Sequence, residues 1–152
     1  MSFQRTIENL QSIVTDYGEK LRSISPGEWS HRPAPAKWSK KETLGHLVDS
    51  AMSNIRRFVI AQYERNPHIL YAQDDWVRLS GYQDYDVADL LALWSLLNRH
   101  ICVILSHVPP GDEKRTARTD GEHTIEWLAE DYNRHLLHHL HQVLDWNPVA
   151  YP

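Results

Sequence analysis

The sequence predicts an all-α protein, a four-helix bundle with long crossover connections. Three observations carry that expectation. Four stretches of roughly 20 residues repeat apolar side chains at helical spacing. Each is bounded by proline, glycine or a capping residue. No stretch alternates apolar with polar residues as a half-buried strand does. With 152 residues, the chain can build one core but not two comfortable ones, so residues 1–152 read as a single domain.

The first helix spans residues 4–23, where Ile7, Leu10, Val14, Tyr17 and Leu21 form a one-sided stripe. Pro26 and Gly27 end that region. Pro33 and Pro35 follow, so the linker to Lys37 is expected to be extended and without helix. The second helix opens at Ser39, which with Glu42 makes a capping box, and runs to about Tyr63. Leu44, Val48, Ala51, Ile55, Phe58 and Val59 form its core stripe. His46 falls roughly opposite, with Glu42, Asp49, Ser53 and Arg57. That placement suits a cleft and sits awkwardly with a core.

Residues 64–85 are the least regular. Asn66-Pro67 breaks the chain, and Gln73–Trp76 and Gly81–Tyr85 mix aromatics with acids. A connection this long is expected to hold a short helix or the wall of a pocket. The alternative is a crossover packed by its own aromatics. Asp86 caps the third helix, about Val87–His107, with Leu90, Trp94, Leu97, Ile101, Ile104 and Leu105 inward. His100 and His107 are too far apart to share a metal ion and read as rim residues. Pro109-Pro110-Gly111 stops this helix, and Asp112–Gly121 reads as a solvated loop. Thr124 caps the last helix, with Glu126 in its first turn and an end before Pro148.

Composition narrows the function. A net charge of -4 gives no basic footprint for nucleic acid. The single Cys102 excludes an internal disulfide and a multi-cysteine zinc site, and it reads as a buried thiol. No unbroken apolar run approaches the ~18 residues of a membrane span, and the first residues lack a signal-peptide core. Cytoplasm, a small-molecule substrate and no membrane partner are the expectations.

The ten histidines are the unusual feature. His135 and His139 lie four apart in the last helix, so both imidazoles share a face, one turn apart. His139 falls within the apolar stripe, His135 and Gln142 on its edge, and His138 and His141 towards solvent. Two neutral imidazoles so placed can share a transition-metal ion, and His46 is the expected third ligand. For each of these the alternative is an ordinary histidine on a helix surface. A three-imidazole set suits zinc, and nickel, iron or manganese less decisively. Asp49, one turn after His46, could orient an imidazole or take a proton, against an alternative as a surface carboxylate beside Arg56. Tyr132, one turn before His135, could donate to a substrate, against an alternative in core packing. Gln142 and Glu42 are weaker supporting candidates. Other bundle sites fit worse. A di-iron carboxylate bundle needs Glu-x-x-His on each of two helices, which this chain does not supply. His-Glu-x-x-His and Cys-x-x-Cys-His are absent.

Lys37-Trp38-Ser39-Lys40-Lys41-Glu42-Thr43-Leu44-Gly45-His46-Leu47-Val48-Asp49-Ser50, then Asn54 and Arg57-Phe58, resembles the second-helix motif of the DinB/YfiT-like superfamily. His123-Thr124-Ile125-Glu126-Trp127-Leu128, followed by Tyr132, His135, His139 and Gln142, resembles its last-helix motif. The resemblance spans nearly the whole chain. It implies a four-helix bundle in which His46, His135 and His139 bind a divalent metal, often nickel or zinc, and frequent homodimers. It also implies a metal-dependent hydrolase, or a thiol transferase or isomerase using a low-molecular-weight thiol such as bacillithiol or mycothiol. The leading expectation is therefore an enzyme whose metal activates water or a thiol. The other is a metal-binding or stress-associated module without turnover.

Overall fold

Capping chemistry places the helices. A computed structural model describes residues 2–152 of the chain. Helix α1 spans Phe3–Arg22, with Ser2 accepting from the Arg5 amide. Helix α3 spans Lys40–Ile60 behind the expected capping box of Ser39 and Glu42. Helix α5 spans Val87–Ser106 behind Asp86, and helix α6 spans Ile125–Val143 behind Thr124. Each side-chain cap satisfies a helix-end amide and contributes about 1 kcal/mol.

These four helices form the bundle. α1 packs on α5 and α6, and α3 packs on α5 and α6. So α1 lies diagonally from α3, and α5 from α6, although each pair is consecutive in the bundle. Diagonal neighbours need connections that cross an end of the bundle, and the segments 23–39 and 107–124 provide them. The core is one continuous cluster that includes Leu10, Leu21, Leu44, Phe58, Leu90, Trp94, Ile101, Leu136 and Leu140.

Five sequence expectations need correction. The linker after α1 is not helix-free: α2 spans Pro26–Ser30, with Ser25 as its cap. Proline is tolerated there because the first turn has no partner for its missing amide hydrogen. The segment 112–121 is not simply a solvated loop. It holds a 3-10 turn at Asp112–Lys114 and most of a short hairpin, β1 at Thr116–Arg118 and β2 at Glu122–Thr124. Strands of three residues are too short to display alternation, yet Ala117 is fully buried. The hairpin is stitched to the other crossover, where the Ile69 amide donates to the Arg118 carbonyl.

The third correction bears on the site. The face of α3 carrying His46 and Asp49 is buried, and every residue from Glu42 to Ala51 is buried with it. α3 is covered on the side away from the bundle core by α4, Gln73–Ser80, and by a 3-10 turn at Tyr82–Asp84. The crossover thus contains the expected short helix. Val59, assigned to the core stripe, is instead 40% exposed. Finally, α5 is long and apolar enough to cross a membrane by length and composition, despite Asp89 and Arg99. An unbroken-run criterion misses it. In this fold its Leu90, Trp94, Ile101 and Leu105 pack into the core.

Candidate metal centre

Because α3 packs directly on α6, His46 meets His135 and His139. Each imidazole offers one nitrogen to a common point, and these three atoms lie within 4.8 Å of one another. His46 Nε2 and His135 Nε2 are 3.1 Å apart. Metal–nitrogen bonds of about 2.0–2.1 Å at tetrahedral angles set ligand nitrogens about 3.3 Å apart. The donor set and its spacing fit a divalent transition metal.

Electrostatics prepares the same outcome. Burial, with the His139 charge second, pushes His46 down to about 3. Burial also brings His135 to about 3, helped by the charges of His139, His46, His138 and Arg57. Burial lowers His139 as well, against an opposing hydrogen bond to Gln142. All three rings are therefore neutral at pH 7, the form that binds metal. The Trp38 ring lies 5.1 Å from that of His46 and covers it. Tyr151 packs edge-on to His135 at 5.2 Å. His139 Nδ1 donates to Gln142 Oε1 at 2.8 Å, so Gln142 is in contact with the triad.

The other sequence candidates sit differently. Asp49 is fully buried and accepts a 2.6 Å hydrogen bond from the Tyr82 hydroxyl. Burial pushes its carboxyl up to about 6, with the Tyr82 bond opposing. It is no surface partner of Arg56, and its one hydrogen bond goes to Tyr82 and not to an imidazole. Tyr82 intercepts it because its ring seats on the side-chain-free Gly45. Tyr132 is not brought to the site. Its hydroxyl crosses the core and donates to Asn98 Oδ1 at 2.5 Å. Burial pushes that phenol above the ordinary tyrosine range. Glu42 serves its capping box and a 2.9 Å ion pair with Arg32. His100 and His107 are exposed, as a rim position requires. Burial pushes the Cys102 thiol up to about 11, so it is inert as a nucleophile at neutral pH.

Sequence reasoning missed Trp38, His138 and Tyr151. Trp38 had a signal, since it stands immediately before the Ser39 cap and so is fixed relative to the first turn. His138 was assigned to solvent by its helical angle, but residues after α6 fold back over it.

An open groove of about 1170 Å³ lies next to the residues that surround the triad, although none of the three histidines lines it. Trp38, Thr43, Asp74, Arg78 and Gln142 line it. Trp38 and Gln142 connect it to His46 and His139. The crossover supplies one wall through α4, and the proline-containing linker supplies another.

A helical bundle with crossover connections and three converging imidazoles defines a class of candidate metal proteins. The sequence profile of the DinB superfamily matches residues 3–143, and the chain belongs to that superfamily. A protein of Oceanobacillus iheyensis, provisionally named a metal-dependent hydrolase, is 30% identical over 106 residues, 68% of this chain. The chain matches only 61% of that protein's length. A Bacillus mycoides protein with the same provisional name is 24% identical over 92% of this chain and 86% of its own. Among solved structures, YfiT of Bacillus subtilis superposes with a TM-score of 0.82 at 21% identity. The superposition covers 97% of this chain and 91% of YfiT. YfiT is described as a probable metal-dependent hydrolase with an unusual four-helix bundle topology. A mycothiol-dependent maleylpyruvate isomerase superposes with a TM-score of 0.78 at 11% identity, over 99% of this chain and 62% of that one. At these identities the two structures establish the shared fold.

Proposed function

We propose that this protein is a metal-dependent enzyme in which His46, His135 and His139 hold a divalent ion, zinc or nickel. The observation that carries the reading is the convergence of three neutral imidazoles, His46 buried and His135 and His139 half-buried, close to a groove that reaches them through Trp38 and Gln142. When bound, such an ion supplies Lewis acidity that makes a water or thiol nucleophile available at neutral pH. The chain's own residues do the rest. Burial keeps the imidazoles unprotonated, Gln142 fixes the His139 ring, and Trp38 screens His46 from water. The groove admits a small electrophilic substrate and offers both cations (Lys37, Arg78) and carboxylates (Glu28, Asp75) to orient it.

The nucleophile is water, giving hydrolysis, or a low-molecular-weight thiol, giving thiol transfer. The names of the sequence relatives support the first, and the mycothiol-dependent neighbour supports the second. Asp49 lies one turn from His46 and takes no direct part in this reading. The alternative is a metal-binding or stress-associated module without turnover. The groove that shares Trp38 and Gln142 with the triad's surroundings supports the enzyme, because a site that only stores or senses a metal needs no substrate-sized opening nearby.

The test is metal analysis of purified wild type and His139→Ala, followed by hydrolysis and thiol-conjugation screens before and after chelation. We expect one ion per chain in the wild type and none in the variant, since two imidazoles hold such an ion weakly. Equal metal content in the two proteins would overturn the assignment. The same reading makes the enzyme a cytoplasmic homodimer acting on small molecules, without nucleic acid or membrane partners. Leu96 and Val103 on α5 are 60% and 54% exposed, a surface a second copy would cover. Sedimentation of wild type against Leu96→Glu checks that arrangement.

A further inference from the structure

The hydrogen bonds around His139 continue beyond Gln142. Gln142 Nε2 lies 3.2 Å from His138 Nε2. His138 Nδ1 in turn lies 2.6 Å from the carbonyl oxygen of Val149. With His139 Nδ1 2.8 Å from Gln142 Oε1, one proton arrangement satisfies all three contacts. A carbonyl oxygen only accepts, so His138 carries its proton on Nδ1. The neutral ring then presents a lone pair at Nε2, and the Gln142 amide must donate there. That orientation turns the acceptor Oε1 towards His139, whose proton must sit on Nδ1. The nitrogen left with a free lone pair on His139 is Nε2. Turning the Gln142 amide over would set its oxygen against the His138 lone pair, so the backbone carbonyl decides the amide's orientation.

The geometry points to a positioning relay in which the Val149 carbonyl, His138 and Gln142 select the tautomer of His139. The relay makes metal affinity depend on the segment after α6. The carbonyl at its head is held from both sides. Upstream, His141 Nδ1 donates to the Asn147 carbonyl at 2.9 Å. Downstream, the Tyr151 hydroxyl donates to Asp131 Oδ2 at 2.7 Å, and its ring packs against His135 and His138. A metal-bound imidazole needs its second nitrogen protonated and anchored. Removing such an anchor typically weakens metal binding 10–100-fold.

The affinity part of this inference rests on the metal-binding reading above, but the tautomer is a property of the metal-free protein. The experiment therefore has two readouts. Long-range proton–nitrogen correlation spectra of the metal-free protein report which ring nitrogen of His138 and of His139 is protonated. Competition with a chromogenic chelator reports zinc affinity. We expect the Nδ1-protonated form of both rings in the wild type. Gln142→Leu should lose the His139 preference and bind zinc about 10–100-fold more weakly. Gln142→Glu keeps an acceptor for His139 and should recover wild-type affinity. His138→Phe, which keeps the ring packed on Tyr151, should give a smaller loss. Gln142 is exposed at the end of α6, so these variants keep the fold. An Nε2-protonated His139 in the wild type would overturn the relay, and so would unchanged tautomer and affinity in Gln142→Leu. A wild type that binds no zinc overturns the proposed function instead, and the tautomer assignment then decides the relay on its own.

Discussion

Tyr82 holds Asp49: its hydroxyl donates a 2.6 Å hydrogen bond to Asp49 Oδ1 in the buried layer between α3 and the crossover. The approach depends on Gly45, one turn earlier on α3. A Cβ there would stand 2.1 Å from Tyr82 Cδ2 and 2.2 Å from Cγ. The ring occupies the place a side chain would take, and so the crossover docks against the helix that carries His46.

Gly45→Ala should therefore destabilise the protein, although alanine is the better helix former. Overpacking of this kind costs about 1–3 kcal/mol. Urea unfolding should show a lower midpoint at unchanged slope. A variant as stable as the wild type would mean that Tyr82 is not seated on Gly45.

Asp49 gives a pH dependence of defined sign. Its folded value of about 6 lies above the ordinary 3.8, so the folded state holds the proton more tightly. The associated stability is present below 3.8, declines as pH rises to about 6, and is lost above it. A two-unit shift corresponds to at most about 3 kcal/mol. Asp49→Asn keeps the acceptor for Tyr82 and removes the buried charge. The variant should gain on the wild type by up to about 3 kcal/mol as pH rises from about 4 to about 7, as followed by urea unfolding. A stability difference that does not change with pH would rule the effect out.

His46 and His135 act in the opposite direction. Their folded values of about 3 lie below the ordinary 6.5. The unfolded chain therefore binds protons first as acid is added. The stability these rings contribute is present above 6.5 and is lost as pH falls towards 3. Metal-free protein should weaken across that window, whereas folded, metal-loaded protein should release its ion only as pH nears about 3, where protons begin to compete for the same nitrogens. Dialysis at stepped pH with metal analysis measures the release. Release from still-folded protein at about pH 5–6, well above the folded values, would contradict it.

Tyr132→Phe should leave metal content unchanged, because the hydroxyl faces Asn98 across the core. It should lower stability by about 1–3 kcal/mol, since the buried Asn98 oxygen loses its donor. Loss of metal in this variant would return Tyr132 to the site.

The three candidate ligands were legible in the sequence for a physical reason. The spacing of His135 and His139 fixes their shared face on any helix, and the flanking caps fix where that helix begins. His46 was the expected third ligand, and the resemblance motif implied it too, while its helical angle pointed away from the core. That angle misled because periodicity reports one apolar face, and α3 is covered on a second face by a crossover with no strong period of its own. Tyr132 and Asp49 illustrate the same limit. Each lies one turn from a candidate ligand, but a turn of helix does not say which partner a side chain reaches.

The sequence by itself determined the four bundle helices, their caps and the candidate ligands, because these depend on interactions within a few residues. Only the tertiary structure decided that α1 and α3 lie diagonally, that Tyr82 takes Asp49, and that the segment after α6 returns to His138. Those outcomes come from contacts between residues far apart in the chain, such as Tyr82 on Gly45 and Val149 on His138. Long-range contacts of this kind are chosen by packing of the whole molecule and leave no local periodic trace.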